Sequence, residues 1–161
     1  MLNSEIYPIF IVDGLSFFDE IYTFKTEKGI DFYVRFVNAS HYFSEICASC
    51  QMVHEVSFES TVRNGGLDIK ISNTIRKIIY LFIVKHESPV MFTCDSTDNL
   101  NHCRNKLFKN WYDQWEQKDL FQLEERTIVF DDYILNLGLI AYKWDPNIKE
   151  YLKQIDAGSL G

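Results

Sequence analysis

The tightest constraint on folding lies between Ser72 and Asp98. Ile75, Ile78, Ile79, Phe82, Ile83 and His86 recur at helical spacing. Tyr80, Leu81 and Val84 widen the apolar surface, so this helix has to be sandwiched or deeply packed. Ser72 or Asn73 is its expected N-cap. Pro89 forces the chain out of helix, and Val90 to Cys94 reads as a short buried strand. Ser96 or Asp98 caps a second helix, with Leu100, Cys103, Leu107, Phe108, Trp111 and Trp115 as its apolar stripe.

The rest of the chain reads mainly as strands. Phe18, Tyr22 and Phe24 fall on one face of a strand ending near Lys25, and Ile30, Phe32, Val34 and Phe36 on one face of the next. Glu27-Lys28-Gly29 turns between them, with Gly29 free to take a positive φ, so the pair is a β-hairpin. Gln51 to Ser60 forms another strand, which Asn64-Gly65-Gly66 breaks. Phe121–Leu123 and Thr127–Phe130 read as a tight hairpin around Glu124-Glu125-Arg126. Tyr133 to Tyr142 reads as a longer strand, although Leu135, Leu137 and Leu139 make a helix possible, and Pro146 opens a last helix bearing Ile148, Tyr151, Leu152 and Ile155 on one face. The fold class is α+β: a mostly antiparallel sheet with N-terminal hairpin strands, two central helices flanking a short strand, C-terminal strands and a final helix.

At 161 residues, positions 1–161 form a single domain. Hydrophobic content of 47% supplies a packed core and argues against disorder. No run of 18 apolar residues marks a membrane span, and the N-terminus lacks the pattern of a signal peptide, so the expected location is cytoplasmic. Cys47, Cys50, Cys94 and Cys103 are then expected to be reduced and partly buried. A net charge of −7 argues against a nucleic-acid or membrane-surface role. Residues 61–118 nevertheless carry nine Lys/Arg against six Asp/Glu, which reads as solvated helix faces or as a local site for an anion or acidic partner.

The best candidate site is the turn from strand to helix at Asp95, Ser96, Thr97 and Asp98, with Arg104 two turns into the helix and Arg76 on the preceding one. Carboxylates at a strand end can bind a ligand or move a proton, and arginines there can bind an anion. The plain alternative is helix capping and a structural ion pair. Cys47-Ala-Ser-Cys50 has the spacing of a zinc knuckle or redox pair, but no second ligand pair completes a metal site. Asn64-Gly65-Gly66 lacks the Lys-Ser/Thr of a phosphate loop. His86 and His102 have no nucleophile at motif spacing. No catalytic residue, metal or cofactor is therefore expected.

Two resemblances follow from these segments. Thr74-Ile75, the long apolar helix, Val90-Met-Phe-Thr-Cys-Asp95-Ser, Arg104 and Leu107-Phe108-Lys109 resemble small uncharacterised proteins of Bacteroidetes-type bacteria and related phages. That resemblance implies a bacterial setting and carries no established activity. The element order from residue 51 to 142 is similar to the second half of the Gcn5-related acetyltransferase fold, where a strand leads to a helix, a strand, a helix and two final strands. Asn101, Arg104, Leu107 and Phe108 stand at the positions of that fold's Asn-x-x-Ala-x-x-Leu-Tyr, with Arg104 replacing the small residue. Residues 63–72 do not match its pyrophosphate loop, whose free N–H groups bind coenzyme A at a helix start.

The expected function is a non-catalytic, cytosolic protein-binding module, in a toxin–antitoxin, immunity or phage-defence setting. Its partner is another protein, or a second copy through an exposed sheet edge. The alternative is a divergent acyltransferase-like enzyme or a sensor of a small anion or nucleotide, using Asp95, Ser96, Asp98, Arg104 and Arg76.

Overall fold

The computed structural model describes residues 5–12, 19–43, 47–61, 68–95 and 109–157. Seven strands form a mixed sheet: β1 (Phe10–Ile11), β2 (Asp19–Lys25), β3 (Asp31–Asn38), β4 (His54–Ser60), β5 (Val90–Asp95), β6 (Phe121–Val129) and β7 (Ile134–Tyr142), in the hydrogen-bonded order β1-β2-β3-β4-β5-β7-β6. Helix α1 spans Ile69–His86, residues 109–113 are helical, and α2 spans Ile148–Asp156. The fold is α+β, as expected. The chain divides into two compact units, one of residues 1–37 and 56–87, the other of residues 38–55 and 88–161.

In the first unit the predicted hairpin forms: β2 and β3 pair antiparallel, with Tyr22 opposite Val34 and Phe24 opposite Phe32. Gly29 takes φ 78° at the turn, the left-handed conformation that a side chain disfavours. Alternation sends Tyr22, Phe24, Phe32, Val34 and Phe36 to one buried face. Helix α1 covers that face with Ile75, Ile78, Ile79, Phe82 and Ile83. Phe36 stacks on Phe82 with ring centroids 3.9 Å apart, which ties the helix to the strands by one aromatic contact. The expected sandwiching of α1 is only partly met. Lys77, Leu81, Val84 and Lys85 form a solvent-facing stripe. The helix begins earlier than expected, because Asp68 rather than Ser72 or Asn73 caps it. The Asp68 carboxylate accepts the Ile71 N–H at 2.7 Å. Ser72 and Thr74 lie inside the helix, and both are buried. Glu87, at φ 51°, ends the helix in the left-handed region.

In the second unit β5, β7 and β6 form an antiparallel ladder, and the first two residues of β4 pair parallel with β5, His54 opposite Val90 and Glu55 opposite Met91. The sheet is thus mixed, and mostly antiparallel as expected. β6 runs unbroken through Glu124-Glu125-Arg126, where a turn was expected. The chain reverses instead between Phe130 and Tyr133, whose N–H and C=O are joined at 2.8 Å. Side chains of both signs alternate along an edge strand as readily as in a turn, and β7 supplies the pairing that keeps β6 extended. α2 packs Tyr151 and Ile155 into a core with Phe43, Val53, Met91 and Leu139. Trp111 and Trp115 are buried, as their helical spacing implied.

Cys47 and Cys50 are joined in a disulfide, correcting the expectation that both are reduced. The Cys50 N–H donates to the Cys47 carbonyl, and this turn brings the two Cα atoms to 5.3 Å, within bridging range.

Candidate functional site

The outer face of the first unit's strands carries a pocket of about 330 Å³, lined by Ile21, Tyr33, Arg35, Ser57, Phe58 and Glu59. Alternation explains most of the set. Ile21 lies between the buried-face residues Glu20 and Tyr22, and Tyr33 and Arg35 flank Val34. Arg35 pairs directly with Ile21 across the ladder. Ser57 and Glu59 project on either side of Phe58 in β4. Arg35, Ser57 and Glu59 are exposed, while Ile21, Tyr33 and Phe58 are half-buried. The pocket therefore combines apolar walls with one guanidinium and one carboxylate, a mixture suited to a side chain or a short stretch of polypeptide.

Two carboxylate clusters lie elsewhere. In the first unit Glu20 accepts the Tyr22 hydroxyl at 2.7 Å and the Lys85 ammonium at 2.8 Å, with His86 Nε2 2.9 Å away. Burial pushes the Glu20 carboxyl upward, but the hydrogen bonds of Lys85, Tyr22 and His86 outweigh it and hold the group below the usual carboxylate range. Tyr22 is pushed well above the usual phenol range, first by burial and then by Glu20. Lys85 and His86 occupy the last turn of α1, where the helix dipole favours cations. A carboxylate so fully hydrogen-bonded is a weak proton acceptor, and its role is to fasten β2 to the end of α1.

In the second unit Glu55 accepts the Thr93 hydroxyl at 3.1 Å. The neighbouring Tyr42 phenol is raised first by burial and then by Glu55, to which it is hydrogen-bonded. Sequence reading did not single out Glu20 or Glu55. Lys85 and His86 lie 65 and 66 residues from Glu20, and Thr93 lies 38 from Glu55, so no local pattern marks these contacts.

Of the predicted site residues, Asp95 ends β5 opposite Leu135. Arg76 is buried on α1, where its guanidinium donates to the Asn73 side chain one turn back. Ser96, Asp98 and Arg104 lie outside the described residues, as does the Asn64-Gly65-Gly66 segment. Among the described residues no group of three or more His, Cys, Asp or Glu side chains is placed to hold a metal ion. No helix among them is long and apolar enough to cross a membrane.

Fold and surface together define an α+β protein with a mixed seven-stranded sheet and a polar-rimmed pocket on the outer side of its hairpin. The chain belongs to the family of unknown function DUF6169, whose model matches residues 67–157, more than half of its length. No curated protein and no solved structure matches it.

Proposed function

We propose that this chain is a non-catalytic protein-binding module, working in a bacterial toxin–antitoxin, immunity or phage-defence setting. The observation that carries the binding role is the β2–β3–β4 pocket, which sets Tyr33 and Arg35 two residues apart on one strand. Tyrosine and arginine are the residue types that dominate binding energy at protein interfaces. The setting rests on the sequence resemblance alone.

The second reading, an acyltransferase-like enzyme or anion sensor using Asp95, Ser96, Asp98, Arg104 and Arg76, is favoured by the order of elements. β4, α1, β5, a helical segment, β6 and β7 follow one another as in the second half of the Gcn5-related fold. One local feature opposes coenzyme A binding. The start of α1 is occupied by the Asp68 carboxylate, which takes the Ile71 N–H and places a negative charge where a pyrophosphate would approach.

Two experiments separate the readings. Affinity capture from the native host is expected to retain a partner with the wild-type chain and lose it with Tyr33→Ala/Arg35→Glu, while thermal melts show the variant folded. Equal retention by both chains refutes the pocket as the binding face. In a thermal-shift assay, acetyl-coenzyme A at millimolar concentration is expected to leave the melting temperature unchanged. A saturable rise overturns the non-catalytic reading, because a ligand that binds the native state must stabilise it.

A further inference from the structure

Two opposite charges line the β2–β3–β4 pocket, and both are unpaired. Among the described residues, neither the Arg35 guanidinium nor the Glu59 carboxylate makes an ion pair or a hydrogen bond, with each other or with any other group. Charges beside the hairpin turn differ, because Lys25 and Asp31 pair with each other at 3.7 Å.

The ladder fixes where the two stand. Thr61 N–H donates to Asp31 C=O at 3.0 Å at one end of the β3–β4 pairing, and Ala39 N–H to Val53 C=O at 2.8 Å at the other. Both bonds obey one antiparallel register, which sets Ser57 opposite Arg35 and Glu59 opposite Tyr33. Ile21 lies opposite Arg35 on its other flank. These five side chains share the face turned away from α1, since they alternate with the buried Tyr22, Val34, Phe36 and Val56. Arg35 and Glu59 are therefore diagonal neighbours, two residues apart along the strands and one strand apart across them. With about 3.4 Å per residue and about 4.8 Å between strands, their Cα atoms are about 8 Å apart.

That spacing says what can neutralise both. Side chains at i and i+2 of an extended segment stand about 7 Å apart on one face, so an acidic and a basic residue placed this way meet Arg35 and Glu59 together. A segment of uniform charge sets one repulsive contact against each attractive one. Arg35 offers a fork of donors to a carboxylate, with the apolar Ile21 and the aromatic Tyr33 beside it. Phe10 of β1, 62% exposed, continues this surface, because it lies opposite Thr23 and Thr23 lies opposite Tyr33.

We infer that the pocket takes an extended segment of the protein partner carrying one acidic and one basic side chain two residues apart, the acid on Arg35 and the base on Glu59. The inference rests on the protein-binding reading above and names the chemistry of the occupant.

The test titrates the isotope-labelled full chain with four blocked tripeptides and follows backbone amide shifts by NMR. Two carry mixed charge, acetyl-Lys-Val-Glu-amide and acetyl-Glu-Val-Lys-amide, and two carry uniform charge, acetyl-Lys-Val-Lys-amide and acetyl-Glu-Val-Glu-amide. The better mixed peptide is expected to shift the amides of Arg35, Ser57 and Glu59 saturably. It should bind about 3–10-fold more tightly than either uniform peptide, a preference that high salt removes. Glu59→Arg should turn the preference to the Glu-Val-Glu peptide. Arg35→Glu combined with Glu59→Arg should exchange the order of the two mixed peptides. Both side chains are exposed, so each variant should melt within a degree or two of wild type. Equal affinity for mixed and uniform peptides, a preference that Glu59→Arg leaves unmoved, or no shift at these amides overturns the inference. A host partner lost with Tyr33→Ala/Arg35→Glu but held equally by Glu59→Arg and wild type also overturns it, and leaves the binding-module reading in place. Failure of the wild-type chain to hold any partner is the separate failure of that earlier reading.

Discussion

Gly138→Ala is expected to be among the most damaging single-methyl changes in this chain. Gly138 of β7 lies opposite Phe92 of β5, and the Phe92 ring lies over the glycine. A Cβ added there would sit 2.5 Å from Phe92 Cε1 and 2.6 Å from Cε2, and closer still to Cζ. Carbon atoms in contact prefer about 3.5–4.0 Å, so the ring must retreat by about 1.5–2 Å. It has little room, because Phe92 is 1% exposed and close-packed interiors hold few voids. Overpacking of this kind costs about 2–3 kcal/mol. For a chain of this length that lowers the melting temperature by about 5–10 °C. Urea unfolding followed by the emission of the buried Trp111 and Trp115 measures the loss. Phe92→Leu in the Gly138→Ala background provides the control. The shorter side chain relieves the clash, so the double variant should lose less than the sum of the singles, with a coupling of about 1 kcal/mol or more. A cost below about 0.5 kcal/mol for Gly138→Ala, or strict additivity, refutes the argument that the ring needs the missing Cβ.

Three further outcomes are expected. Asp68→Ala removes the carboxylate that caps α1, costs about 1 kcal/mol in chemical unfolding and leaves the fold unchanged; an unaltered midpoint contradicts the capping role. Glu20 has a depressed native pKa, so its stabilising contribution is complete above the unfolded carboxylate value and is lost as the pH falls through the lower native one. Relative to Glu20→Gln, wild type should therefore lose stability as the pH drops below about 4.3, and parallel pH profiles would refute this. A dithiol reductant should add two hydrogens at Cys47 and Cys50, visible by mass spectrometry under non-reducing conditions, and lower stability by about 2 kcal/mol, the value for so short a loop. Lack of any change in mass or melting temperature would show that the bridge is absent or inaccessible.

The contrast between Glu20 and the elements around it shows what the sequence made legible. The hairpin, the apolar face of α1 and the buried strand at Val90 each announce themselves within a window of about ten residues, whereas Leu135, Leu137 and Leu139 leave the segment ending at Tyr142 open between strand and helix. Period two or period 3.6 requires only near neighbours, and the structure places these elements close to where the patterns put them. The start of α1 is not legible locally, because Ser72, Asn73 and Asp68 are all acceptable caps and the choice depends on which turn packs. The charged centre of β6 reads equally as a turn, and only its pairing with β7 decides the matter.

The amino-acid sequence by itself determined the α+β class, the inward faces of the β2–β3 hairpin and of most of α1, and the net charge of −7, because these follow from local periodicity and composition. Tertiary structure alone decided which distant groups meet. Glu20 reaches Lys85 and His86 across 65 and 66 positions, and Glu55 reaches Thr93 across 38. It also decided that Cys47 and Cys50 close into a bridge, and that of three tryptophans two are buried while Trp144 stacks on Tyr142 at the surface. Such contacts depend on strand register and on how a helix is seated. Those are set by the summed packing of many side chains rather than by any residue's own neighbours along the chain.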